Sequence, residues 1–75
     1  MSANKQWIPC NVAPGMFTDE RAVEVEGRWF FVEARYVQAA QRTGPGLLEV
    51  VLFEEGGNRW AMIPSCYREA VALRA

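Results

Sequence analysis

From Arg21 to Val32 apolar and polar positions alternate. Val23 and Val25 interleave with Glu24 and Glu26, and after Gly27 an apolar run resumes at Trp29-Phe30-Phe31-Val32. A period of two marks a half-buried strand, and a glycine between two such runs predicts a tight hairpin. A third strand is predicted over Leu47–Glu54, centred on Val50, Val51, Leu52 and Phe53, and a fourth over Arg59–Ile63, stopped by Pro64. Glu55-Gly56-Gly57-Asn58 between them reads as a hairpin loop, because glycine and asparagine accept positive φ. Thr43-Gly44-Pro45-Gly46 reads as a loop. Glu33–Val37 reads as strand continuation or a single turn, and Ser65–Glu69 as a turn or 3-10 connector. Ala70–Arg74 reads as a fifth short strand or a helical tail. Residues 1–20 read as an irregular or extended N-terminal arm, since Pro9, Pro14 and Gly15 block a continuous helix there.

The expected fold class is therefore all-β: a small antiparallel five-stranded meander, or the same strands closed into an SH3-like barrel so that no edge is left open, with room for one short helical turn. The chain has 75 residues, which predicts one domain with a thin core. Oligomerisation is a common way to add buried surface at this size. Apolar residues make up 51% and charged residues 23%, a globular mixture. The N-terminus lacks the apolar stretch of a signal peptide, and no run approaches the ~18 apolar residues of a membrane span. With only two cysteines, Cys10 and Cys66, a disulfide scaffold is not indicated. The expectation is a cytoplasmic protein, not a membrane one.

Candidate chemistry is sparse. Histidine is absent, which removes the commonest acid–base group and the commonest transition-metal ligand. Cys10 and Cys66 make no zinc spacing, and Gly56-Gly57 precedes neither a lysine nor a helix, so no phosphate loop is present. No metal, cofactor or catalytic residue is predicted, and a non-enzyme is favoured. Cys66 is the better thiol candidate, with Arg68 near enough to favour a thiolate, but a small buried thiol is the plainer reading.

The aromatics say more. Trp29 and Phe31 share one face of their strand, Phe30 and Val32 the other, so both faces are apolar. A solvent-facing side of a simple sheet should be polar. The arm with Trp7 and Ile8 is one expected cover and is favoured; a partner surface is the other, since tryptophan, tyrosine and arginine are enriched in hot spots. Candidate binding residues are Trp29, Phe31, Trp60, Tyr67, Arg28 and Arg59. The same set would suit single-stranded nucleic acid, where bases stack on aromatics flanked by basic groups. Glu24, Glu26, Glu33, Glu54 and Glu55 on the same hairpins, and a net charge of −1, disfavour that partner.

Ile63-Pro64-Ser65-Cys66-Tyr67 resembles the Ile-Pro-Ser-Asn-Tyr run near the end of SH3 domains, with cysteine at the asparagine. The resemblance covers these five residues. It implies an SH3-like small barrel in which Pro64 and Tyr67 would help line a groove for proline-rich peptides.

Three functions follow as expectations. The first is a protein-interaction or assembly module, through a protein partner or self-association. The second is a single-stranded nucleic-acid-binding barrel. The third is a small oligomeric ligand binder or enzyme with a pocket between subunits.

Overall fold

The computed structural model describes residues 4–65 and 69–73. Its elements are β1 (Asn4–Pro14), β2 (Glu20–Val25), β3 (Arg28–Glu33), a 3-10 turn (Ala34–Tyr36), β4 (Val37–Gln38), β5 (Gly44–Glu55), β6 (Asn58–Met62) and β7 (Ala70–Leu73). The class is all-β, and every ladder is antiparallel. The seven strands form one sheet in the order β3-β2-β1-β5-β6-β7, with β4 also on β5. A five-stranded meander is therefore corrected: β1 lies beside β5, far away in sequence. The sheet curls into a half-barrel. A bridge, Val32 to Ser65, and an ion pair, Arg28 Nη2 to Glu69 Oε1 at 2.8 Å, bring its two ends together.

One face of each strand points into the curl. Val12, Val23, Val25, Phe30, Val32, Leu48, Val50, Ala61, Ile63 and Val71 are buried there, with Cys10 and Leu52 at the margin. Their alternation along each strand is the period of two read from sequence. The hairpin at Gly27 is a two-residue turn. Glu26 at φ 52° and Gly27 at φ 79° are both left-handed, the geometry that matches the twist of the flanking strands.

Residues 4–14, expected as part of an irregular or extended arm, are extended but not an arm: they form the longest partner of β5 within the sheet. The prolines misled because each sits where a ladder tolerates it. Pro9 pairs with β5 only, since the β1–β2 ladder begins at Asn11, and Pro14 ends the strand. Ile8, Cys10 and Val12 then fall on the inner face. The arm accordingly does not cover Trp29 and Phe31, which stay exposed at 55% and 53%.

Gly44–Gly46, expected as a loop, belongs to β5. Gly46 is needed for a close approach rather than a turn. A Cβ there would stand 2.7 Å from Val12 Cγ2 and 2.9 Å from the Gln38 carbonyl oxygen. Gly46→Ala is expected to lower unfolding free energy by about 2 kcal/mol, as overpacking of a tight core does. Urea denaturation would read this as a lower midpoint at unchanged slope. The single turn near Glu33–Val37 is present as the 3-10 turn, and Ala70–Leu73 is strand rather than helix.

Candidate functional site

β5 carries two different neighbours along one edge. β4 pairs at Leu47 and Leu48, and β6 pairs from Val51 onward. Glu49 and Val50 lie in the fork between them, outside both ladders. A groove of about 730 Å3 occupies this fork. The end of β3, the 3-10 turn, the segment after β6 and the loop between β1 and β2 enclose it.

That loop is built to hold an aromatic ring in water. Gly15 N–H donates to the Glu20 carbonyl at 3.2 Å, and Glu20 N–H donates to the Phe17 carbonyl at 3.0 Å. The Glu20 carboxylate accepts from Met16 N–H at 2.7 Å, and Arg21 Nη1 donates to the carbonyls of Thr18 and Glu20. Phe17, at the tip, is 67% exposed. Ala34 N–H donates to the Asp19 carbonyl at 2.7 Å, which ties the loop to the 3-10 turn. On that turn the Arg35 guanidinium lies 4.8 Å from the centre of the Tyr36 ring and pairs with Glu33 through Nε at 2.6 Å. Phe17, Phe31 and Tyr36 thus line one groove on fixed supports, and fixed supports reduce the ordering cost of binding.

Two further features mark the groove. Its charged lining is Asp19, Glu20, Glu33 and Glu49 against Lys5 and Arg35, an acidic excess. In its wall the Ser65 hydroxyl oxygen is buried without a hydrogen-bond partner among the described residues. Such a group costs about 1–3 kcal/mol until something bonds it.

The residues expected from sequence are only partly brought together. Phe31 lines the groove, and Trp29 stands two positions away on the same outer face of β3. Trp60 is on β6, half-buried and stacked on Phe53 with ring centres 6.5 Å apart, and its Nε1 donates to the Glu55 carbonyl. Arg28 is committed to Glu69 and lies 5.2 Å from the Phe30 ring centre. Arg28 and Trp60 face a separate cleft between β3 and β7, and Arg59 another beside Trp7. Tyr67 and Cys66 fall outside the described residues. Phe17, Tyr36, Glu49 and Ser65 were not among the expected site residues.

Cys10 is a buried free thiol on the inner face of β1, and burial pushes its pKa above the ordinary 9.0. Because the folded state favours the neutral thiol, its contribution to stability is complete below about pH 9.0 and is lost as pH rises through the higher folded value. In a Cys66→Ser background, Cys10 is expected to react with a disulfide reagent at pH 8 at least about tenfold more slowly in the folded protein than in urea, since the thiolate is the nucleophile. Equal rates would contradict its burial.

Among the described residues no helix is long and apolar enough to cross a membrane. Compared with known protein families, curated proteins and solved structures, the chain matches none.

Proposed function

We propose that this protein is an interaction module that takes an extended peptide segment of a protein partner into the fork groove. The observation that carries the reading is the pairing of exposed Phe17 and Phe31 in a single groove with Glu49 and Val50, the stretch of β5 outside the β4 and β6 ladders. The rings offer apolar contact and the open strand edge offers backbone hydrogen bonds to an extended peptide. Exposed aromatics on rigid supports are the usual anchors of such contacts. The carboxylates around them work against a nucleic acid, whose phosphates they would repel. An SH3-like barrel is the finer fold reading that fits, and Pro64 in the groove wall supports it.

A displayed library of random peptides tests the proposal. The wild-type protein is expected to enrich a family of sequences that a Phe17→Ala, Phe31→Ala double variant does not retain. No enrichment over the double variant would sink it. A fluorescent oligothymidylate at low salt serves as the competing probe and is expected not to bind. Salt-sensitive binding weakened by Arg28→Ala would favour the nucleic-acid reading instead.

A further inference from the structure

We infer that the outer face of β1, β5, β6 and β7 is the seat of a second copy of this chain. The register defines that face. Val51 lies between Lys5 and Met62, Phe53 beside Trp60, Glu49 beside Trp7, and Leu47 beside Pro9. All of them alternate with the buried Leu48, Val50, Leu52 and Ala61, so they point away from the core. Trp7, Leu47, Val51, Phe53, Trp60 and Met62 give this face its apolar residues, with Trp7 and Leu47 each 38% exposed and Lys5 and Glu49 set among them. The sheet is therefore apolar on both sides here, whereas a sheet with one face in water alternates apolar with polar positions.

Charge selects the occupant. The charged residues among those register partners, Lys5 and Glu49, are opposite in sign. A two-fold axis between them sets Lys5 of one copy against Glu49 of the other, twice, which makes the face complementary to itself. A 75-residue chain also gains most from this kind of added burial.

Sedimentation velocity on the full chain tests the inference. A species of twice 8.5 kDa is expected at tens of micromolar. Trp7→Glu is expected to weaken the dimer about 30-fold, while Trp29→Glu, on β3, leaves it intact. A charge-pair experiment guards against a variant that merely misfolds. Lys5→Glu and Glu49→Lys chains should each dimerise weakly alone and form a heterodimer on mixing, because mixing restores both cross-copy pairs. A monomer at every concentration, a dimer broken by Trp29→Glu rather than Trp7→Glu, or charge variants that fail to prefer each other would overturn it. Lys5, Glu49, Val51 and Met62 also border the groove, so a second copy and a bound peptide compete for this edge. Trp7 lies outside the groove lining, and Phe17 and Phe31 lie outside the dimer face, so Trp7→Glu and the Phe17→Ala, Phe31→Ala double variant separate failure of one proposal from failure of the other.

Discussion

Leu48→Ala is expected to lower unfolding free energy by about 3 kcal/mol, the middle of the range for deleting a buried leucine. The residue is fully buried and sits at the branch of the sheet, where β5 pairs with Ile8 of β1 on one side and Val37 of β4 on the other. A cavity there has walls from two ladders that hold it open, so little of the loss is recovered by collapse. In a chain this short, each kcal/mol moves the melting temperature by roughly 4–8 °C, so a fall of roughly 12–24 °C is expected. Calorimetry checks it. A fall below a few degrees would mean that Leu48 is not at the centre of the packing.

The second large effect concerns binding. Removing both Phe17 and Phe31 is expected to weaken a selected peptide about 100-fold, as the loss of two anchor rings does. The rings are largely solvated in the free protein, so melting temperature should hardly change. That separation distinguishes a binding role from a structural one. A double variant that binds normally, or one that loses stability in proportion to binding, would count against the groove. Ser65→Ala adds a control: it removes a buried hydroxyl with no hydrogen-bond partner among the described residues and so is expected to keep or raise stability.

How much of this was legible in the sequence follows from which interactions are local. The Arg21–Val32 hairpin was legible because the alternation and the turn glycine lie within a dozen residues. The Gly56-Gly57 hairpin was legible for the same reason, with both glycines at positive φ. β1 was hidden because proline and glycine carry the same local signal whether a chain turns or runs along an open ladder edge. Gly44-Pro45-Gly46 was hidden because the need for a missing side chain arises only when Val12 and Gln38 arrive from elsewhere.

The groove depends on β4 and β6 sharing one edge of β5, a long-range arrangement with no local mark. Trp60 read as a binding residue because nothing in its neighbourhood announced the Phe53 stack. Phe31 was found by its strand parity. Phe17 left a usable trace: Met16 and Phe17 are an apolar pair held between the turn residues Pro14-Gly15 and the polar Thr18-Asp19.

The most direct test of the fork groove is an NMR titration of the isotope-labelled full chain with a peptide taken from the selection. The expected result is saturable shift changes concentrated at Phe17, Phe31, Tyr36, Glu49 and Ser65, with Val25 and the β2–β3 turn unmoved. Saturable changes centred on the β3–β7 cleft around Arg28 and Trp60, with the groove silent, would contradict it.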